Sequence, residues 1–308
     1  MAKARAIGKR RKAVQNIRKI TRTMQLIATA RFQSAFNRAT ASKPYVENIS
    51  RLVEELSRAQ GDIEHPLLKV NQGANKSALL VISSNRGLCG GYNSALLRTA
   101  LEAIREQEKI GRQVDLEAIG KKGIAYFKFL GRSIARSDSL FETPQFEEVE
   151  KIADRMISAY SAGQLDAVYV VYTRFQSVSS QRPEVLQLLP IRKPNSAETG
   201  AVAGAGVVSA NAASAASTST ASAAQYEFSP PADELLAELL PEMVKVRLFQ
   251  CFNDAMVSEQ TARMVAMKAA TDAAGDMIRS LTQRMNRARQ SQITLELLDI
   301  VAGAEALA

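Results

Sequence analysis

The chain has 308 residues, of which 46% are hydrophobic and none is Trp, so it is long enough for one large or two smaller domains with an aliphatic core. Its two cysteines, Cys89 and Cys251, lie far apart, which excludes a disulfide framework and a Cys-x-x-Cys metal site. The net charge is +9, and because no apolar run approaches the roughly 20 residues that cross a bilayer, we predict no transmembrane helix.

The basic residues are concentrated at the N-terminus. Residues 1–46 contain twelve Lys and Arg and no Asp or Glu, so residues 47–308 carry a net charge of −3. A basic arm of this kind predicts an acidic partner, and a nucleic acid, an anionic membrane or an acidic protein would each fit. Six of these residues form what we call the basic band: Lys9, Arg10, Arg11, Lys12, Arg18 and Lys19.

Residues 3–58 predict one long helix within a larger N-terminal unit, residues 1–60. Steps of three and four residues from Val14 give the 3.5-residue period of a coiled coil, with small or polar residues in the middle of the seam. We expect Pro44 to bend or break the helix locally. The predicted seam is Val14, Ile17, Thr21, Met24, Ala28, Arg31, Ala35, Arg38, Ser42, Tyr45, Ile49, Leu52 and Leu56.

Residues 76–190 alternate between strand-like and helix-like segments, which is typical of an α/β layer with mostly parallel strands. A last apolar segment, 183–189, predicts a strand at an edge of the sheet. The predicted strands are 77–84, 114–119 and 165–175, and the predicted helices are 93–107, 121–130 and 145–162.

The segment 196–225 consists almost entirely of Ala, Ser, Thr, Gly, Asn and Val, with one charge, so we interpret it as a disordered linker or surface insertion. Residues 231–306 predict a second long helix, interrupted only by Pro241, that would be roughly 110 Å long. Its seam also alternates steps of three and four: Met264, Met267, Thr271, Ala274, Ile278, Leu281, Met285, Ala288, Gln292 and Leu295.

The two terminal helices are the obvious partners for each other. Both carry a 3.5-residue seam with small residues in its middle, which allows close approach of two backbones. Because the α/β segment lies between them, both helices can leave it on the same side. The sequence therefore predicts an α/β domain from which an antiparallel coiled coil projects, a slender rod suited to a hole or groove.

A glycine turn follows the first predicted strand. Gly87, Gly90 and Gly91 precede a helix, a position at which glycines can cradle a phosphate. Their spacing, however, is G-x-x-G-G rather than G-x-G-x-x-G, and the Lys-Ser/Thr of a P-loop is missing. A tight structural turn is the favoured interpretation, with nucleotide binding as the alternative.

Segments in three parts of the chain resemble one family. Residues 258–275 (SEQTARMVAMKAATDAAG) and 286–293 (NRARQSQI) resemble the C-terminal signature of ATP synthase gamma subunits. Residues 84–93 (SNRGLCGGYN) are similar to the glycine turn of that family, and residues 17–30 (IRKITRTMQLIATA) to its N-terminal stretch. The family fold is a Rossmann-like α/β domain with a long antiparallel coiled coil of its N- and C-terminal helices, as the periodicity also predicts.

The resemblance implies a non-catalytic rotor shaft that couples the rotation of an ion-driven membrane c-ring to ATP synthesis or hydrolysis. The implied partners are the alpha and beta subunits of the catalytic ring, the epsilon subunit and the c-ring, with no nucleic acid, no cofactor and no direct nucleotide binding. The residues that match the family's ring contacts are Met24, Arg86, Arg289, Gln290 and Thr294. A guanidinium such as that of Arg86 suits a carboxylate on a beta subunit.

The resemblance also implies a place and a source. The basic arm merges into the shaft motif, so we interpret it as part of a mature bacterial protein, peripheral at the cytoplasmic face of the inner (plasma) membrane. Asn85 stands where the family usually has Asp. The interaction that this acid makes in the loop is therefore either lost or replaced by an amide hydrogen bond. A nucleic-acid-binding coiled coil and a nucleotide-binding enzyme remain the alternatives from other functional classes.

Overall fold

The computed structural model describes residues 2–60, 65–71, 73–138, 143–191 and 232–305. The segment 196–225, interpreted as a linker, lies outside these residues. Along the chain, one very long helix precedes and another follows a set of alternating strands and shorter helices. The elements in chain order are α1 (Ala2–Gln60), β1 (Lys76–Ile82), α2 (Tyr92–Lys109), β2 (Gln113–Ile119), α3 (Lys121–Phe129), β3 (Arg136–Asp138), α4 (Phe146–Ser161), β4 (Ala167–Phe175), β5 (Gln181–Leu189) and α5 (Ala232–Glu305).

The strands form one five-stranded sheet in the order β3-β2-β1-β4-β5. The first four are parallel, and β5 runs antiparallel to β4 at one edge, as the sequence predicts. The strand β3 was not predicted. Its three residues are all exposed, so they carry neither an apolar run nor an alternating pattern.

The sheet is covered by helices on both faces. In β1, Ala78, Leu80 and Ile82 belong to the core shared with α1, α4 and α5. The alternate residues Leu79 and Val81 belong to the core under α2 and α3. Both sets are buried because successive side chains of a strand point to opposite faces, which explains why β1 is a continuous apolar run.

The helices α1 and α5 pair in antiparallel fashion. Ser42 Oγ lies 3.1 Å from Gln250 Oε1, and Thr271 Oγ1 donates to Thr21 Oγ1 at 2.8 Å. Farther out, a Cβ placed on Gly8 would lie 3.9 Å from the sulfur of Met285. Positions therefore rise along α1 as they fall along α5, and the predicted fold class, an α/β domain with an antiparallel coiled coil of the terminal helices, is confirmed.

The predicted seam of α5 is confirmed over most of its length. Met267, Thr271, Ala274 and Leu281 are buried, and the other predicted positions are half-buried as far as Gln292. Leu295 is 60% exposed, because α5 continues past the beginning of α1. The seam prediction is wrong for this last position.

The predicted seam of α1 is half wrong. Val14 and every seventh residue after it face α5, as predicted. The other seam residues lie four positions after each of these, not three. Ile17 is 52% exposed and Met24 is 37% exposed, whereas Ala39 and Val53 are buried. The contacting seam is Val14, Arg18, Thr21, Gln25, Ala28, Phe32, Ala35, Ala39, Ser42, Val46, Ile49, Val53 and Leu56.

Pro44 does not break α1, which is continuous from Ala2 to Gln60. The side chain of Pro44 is exposed, and so is Thr40, whose carbonyl loses its helical N–H partner. Water can therefore satisfy this carbonyl. The packing of neighbouring turns against α5 maintains the helix, so the expectation of a break was wrong.

Candidate functional site

The glycine turn, residues 83–91, is a tight structural turn. Ser84 Oγ donates to the carbonyl of Arg86 at 2.7 Å, and Asn93 Nδ2 donates to Ser84 Oγ at 2.7 Å. Gly90 has a φ of 58°, a left-handed conformation that favours glycine. A Cβ at Gly90 would lie 3.7 Å from Ala266 of α5, so the turn faces the C-terminal helix.

Asn85 takes part in a hydrogen bond at the start of α3. Its Oδ1 accepts from the backbone N–H of Lys121 at 3.2 Å. The first N–H groups of a helix have no partner within the helix, so this contact satisfies one of them. Of the two outcomes considered for this position, the amide hydrogen bond is the one observed.

Arg263 fastens the glycine turn to α5. Its Nη2 donates to the carbonyl of Arg86 at 3.3 Å and, more weakly, to that of Gly87 at 3.5 Å. The same nitrogen lies 2.6 Å from Oε1 of Glu259, one helical turn away. The hydroxyl of Tyr92 adds a hydrogen bond to the carbonyl of Ala255 at 3.3 Å. The α/β domain and the rod are therefore joined by side chains as well as by covalent connections.

Burial determines the electrostatics of this junction. Glu259 is only 5% exposed, and burial raises its pKa while Arg263 acts in the opposite direction. Burial likewise raises the pKa of the Cys89 thiol and of the Tyr92 hydroxyl. Arg263 and Glu259 were not among the predicted site residues, although their i, i+4 spacing within the family signature indicates an ion pair.

A second polar connection crosses between the helices deeper in the domain. The amide oxygen of Gln250 pairs with Ser42 Oγ, and Gln250 Nε2 donates to Asp254 Oδ1 at 2.9 Å. Burial raises the pKa of Asp254 to about 6. Arg174 and Lys43 favour its ionised form, whereas Glu184 opposes it.

We expect the Asp254→Asn variant to lose part of the pH dependence of stability. The native carboxyl keeps its proton up to pH about 6, whereas an unfolded Asp loses it near pH 3.9. The contribution of Asp254 to stability therefore falls as the pH rises between these two values. Between pH 5.0 and 7.5, the free energy of unfolding measured with urea should fall by about 1 kcal/mol less in the variant than in the unmodified chain.

Asp272→Asn, on the exposed side of the same helix, is the control for removing a carboxylate. An unchanged pH dependence in the Asp254→Asn variant would contradict the assignment.

Met24 is only partly covered in the pair of α1 and α5. It is 37% exposed and lies within an apolar stripe on the outer side of α1 that also contains Ile17, Ile20 and Ile27, each more than half exposed. The contact of Thr21 with Thr271 places Met24 about one turn farther along, near Lys268 of α5. Met24 is therefore not among the buried residues of the helix pair, and its exposed part is available to another molecule.

Arg289, Gln290 and Thr294 lie toward the free end of α5, and all three are exposed. Thr294 Oγ1 donates to the carbonyl of Gln290 at 3.0 Å, within the helix. These residues are about 30 Å along the helix from the level of Met24, at 1.5 Å per residue. The structure thus does not bring them to Met24, and one short loop of a partner cannot contact both groups.

Arg86 is exposed in the glycine turn, near the base of the rod, where its backbone carbonyl contacts Arg263. Along the rod, Arg86 lies closer to Met24 than to Arg289. The predicted contact residues therefore form two groups, one at the base of the rod and one near its end.

The basic band lies on the outer half of the rod. Its members are exposed except Arg11, which is half-buried. The guanidinium of Arg18 extends across α5 and would lie 3.8 Å from a Cβ on Gly275. Residues 2–23 and 269–292, which pair along this part of the rod, contain thirteen Lys and Arg and two Asp. This part of the surface is strongly positive and suits acidic partners.

The end of α5 extends beyond the two-helix part of the rod. Gly8 lies opposite Met285, so α1 begins near position 291 of α5. The large apolar side chains that follow are all about half exposed or more: Ile293, Leu295, Leu297, Leu298, Ile300 and Val301. An apolar helix end of this kind marks a binding surface.

The described residues contain no helix that is both long and apolar enough to span a membrane. Within the same part of the chain, no three His, Cys, Asp or Glu side chains are grouped so that they could hold a metal ion.

Comparisons with known proteins identify the family. A family model described as ATP synthase matches residues 3–307. A relative named ATP synthase gamma chain from Rhodopirellula baltica is 46% identical over 308 residues, which are 100% of this chain and 99% of the relative. A second, from Frankia casuarinae, is 38% identical over 309 residues, covering 99% of this chain and 97% of the relative.

Two solved structures share the fold. A chain of the mitochondrial ATP synthase of Euglena gracilis, in an OSCP/F1/c-ring assembly, has a TM-score of 0.65 at 16% identity, covering 99% of this chain and 95% of that chain. A chain of the central stalk/c-ring of Tetrahymena thermophila ATP synthase has a TM-score of 0.57 at 17% identity, with 82% and 99% covered. From the family match and the two relatives, the chain belongs to the ATP synthase gamma chain family.

Proposed function

We propose that this chain is the central rotor shaft of an F-type ATP synthase, coupling rotation of a membrane c-ring to ATP synthesis or hydrolysis in a ring of alpha and beta subunits. The observation that carries the proposal is the antiparallel rod of α1 and α5. The outer part of the rod is basic and its end is apolar and exposed, so it is built to be enclosed by another assembly.

The shaft acts by asymmetry rather than by chemistry. Its sides differ: the outer side of α1 carries the apolar stripe around Met24, and the glycine turn lies against α5. Each beta subunit of a threefold ring would meet a different side, so the nucleotide affinities of the three sites would differ. Rotation exchanges these contacts, and this chain is the non-catalytic partner.

The predicted contacts fit this mechanism in two groups. Met24 and Arg86 would contact the ring near the base of the rod, whereas Arg289, Gln290 and Thr294 would contact it near the end. The positive charge of the basic band would attract acidic loops of the ring. Because no single ion pair would have to form at each angle of rotation, the shaft would not be held in one position.

The α/β domain would hold the c-ring together with an epsilon subunit, at the cytoplasmic face of the bacterial inner membrane. The solved structures of the same fold belong to an OSCP/F1/c-ring assembly and to a central stalk/c-ring assembly. Torque would then pass from the domain to the rod through the junction at Arg263.

Reconstitution tests the proposal. A tagged copy of the chain is expected to co-purify with alpha and beta subunits and to support rotation driven by ATP hydrolysis. Arg289→Ala is expected to lower the hydrolysis rate of the complex by roughly tenfold to a hundredfold, because one lost charge-assisted hydrogen bond to the ring costs about 1.5–3 kcal/mol. Arg98→Ala, an exposed arginine on α2, is the matched control. Failure to bind the ring, or salt-sensitive DNA binding instead, would contradict the proposal.

A further inference from the structure

A cavity of about 250 Å³ lies between α1 and α5 at the base of the rod. Its lining comes from three segments that are far apart in the chain. Among the lining residues are Arg31, Ser34 and Arg38 of α1, Met256 and Gln260 of α5, and Thr143 just before α4. The described residues that line the cavity include two arginines, two hydroxyls and an amide, and none of them is a carboxylate. The lining therefore offers hydrogen-bond donors and positive charge.

The guanidinium of Arg38 has a buried N–H group without an acceptor. Its Nη1 donates to Ser34 Oγ at 3.0 Å, whereas its Nε is buried and has no hydrogen-bond partner among the described residues. Burying an unpaired donor costs free energy, and the cost is larger for a charged group. The Nε and Nη2 side of a guanidinium can hold two oxygens of one oxyanion. Such a ligand would therefore satisfy Arg38.

Gln260 provides a second buried donor, from the opposite helix. Its side chain is 4% exposed. Its Oε1 accepts from Nη1 of Arg263 at 3.1 Å, which fixes the orientation of the amide. Its Nε2 lies 3.9 Å from the sulfur of Met256, which is a weak acceptor. The amide nitrogen can therefore donate to a stronger acceptor in the cavity.

The electrostatics and the accessibility of the cavity both suit a small negative ion. Arg31 and Thr143 are exposed, so an ion can enter from the solvent. The carboxylate of Glu259, the residue before Gln260, bonds to Arg263. Burial raises the pKa of Glu259, and Arg263 and Arg31 act in the opposite direction, so Arg31 adds positive potential beside the cavity.

We propose that this cavity, which we call the anion cavity, binds an oxyanion of the phosphate type, held by Arg38 and Gln260 with help from Arg31. Its volume is below the roughly 300–1,000 Å³ of pockets that hold drug-sized ligands, so inorganic phosphate suits it better than a nucleotide. The bound ion would connect α1, α5 and the segment before α4 at one point. It would therefore stabilise the base of the rod, whether or not the chain is assembled with other subunits.

Calorimetric titration of the unmodified chain with inorganic phosphate tests the inference directly. The ionic strength is held constant with chloride, so that general screening is the same throughout. We expect saturable binding of one phosphate per chain and a melting temperature that rises with the phosphate concentration. The absence of saturable binding would overturn the inference, and so would an equal rise of the melting temperature with chloride at the same ionic strength.

Variants of Arg38 test which side chain holds the ion. Arg38→Gln should lower the affinity for phosphate by about tenfold or more, because the charge and the Nε donor are lost. Arg38→Lys keeps the charge without the two-donor geometry and should bind with intermediate affinity. Arg22→Gln, at an exposed position of the same helix outside the cavity, is the matched control and should bind normally. Equal losses in Arg38→Gln and Arg22→Gln would overturn the inference.

Two further titrations distinguish other sources of negative charge. ADP should bind no more tightly than inorganic phosphate, because the cavity has no room for the base and the ribose. Tighter binding of ADP that is lost in Arg38→Gln would overturn the assignment to a free oxyanion. A glutamate-rich peptide should not compete with phosphate. Binding of the peptide without binding of phosphate would assign the anion cavity to an acidic protein segment instead.

Discussion

Replacing Arg263 with glutamine should lower the free energy of unfolding by about 3 kcal/mol. The pair of Arg263 with Glu259 is buried, with side chains 13% and 6% exposed, so the change leaves a carboxylate in a site where burial already raises its pKa. It also removes the donor to the carbonyl of Arg86. We expect the glycine turn to separate from α5 and the complex to hydrolyse ATP with reduced rotation. Urea unfolding and single-molecule rotation measure the two effects.

The pH dependence and two further variants test the cause. Because the folded pKa of Glu259 is raised, its unfavourable contribution grows as the pH rises through that pKa, so the loss in the variant should be smaller in acid. Glu259→Gln combined with Arg263→Gln should recover much of the stability, because no buried charge remains. Arg279→Gln is the control: its pair with Asp276 is 79% and 69% exposed and should contribute at most about 1 kcal/mol. Equal losses at Arg263 and Arg279 would refute the argument.

The Gly120→Ala substitution should be still more damaging, with a loss of more than about 4 kcal/mol or no folded protein. Gly120, just before α3, has a φ of 96°, and a Cβ there would lie 2.0 Å from the carbonyl oxygen of Ser83. Because that oxygen belongs to the backbone at the end of β1, no side-chain rotation can relieve the clash. Circular dichroism and thermal melting of the purified chain measure the result.

Gly111→Ala separates the clash from backbone strain. Gly111 also has a positive φ, 84°, but a Cβ there would meet nothing within 4 Å. It should therefore cost only the strain of a left-handed residue, about 1–2 kcal/mol. Similar losses at Gly111 and Gly120 would show that strain, not the contact with Ser83, dominates at Gly120.

Much of the fold could be predicted from the sequence because its signals are local. The buried strands are continuous apolar runs, and the seam of α5 has one apolar side along the predicted positions. The family followed from motifs in three parts of the chain, near its beginning, after the first strand and near its end. The strand β3 was not predicted because its three exposed residues form no apolar run.

The seam of α1 could not be predicted in the same way, because this helix has two apolar sides. Ile17, Ile20 and Met24 follow helical spacing as well as the seam that contacts α5 does. Steps of three and of four residues from Val14 both give a period of 3.5, so periodicity cannot decide between them. Only the packing of α5 shows which side is covered, and it leaves Met24 on the outer surface.

The sequence by itself therefore determined the elements, the long helical pair and the family, since each depends on residues close together in the chain. The tertiary structure alone decided which side of α1 faces α5, that Arg263 holds a turn 176 residues away, and that Arg38 and Gln260 line one cavity. The physical reason is that burial and pairing between distant segments depend on three-dimensional packing. The spacing of residues along the chain does not determine that packing.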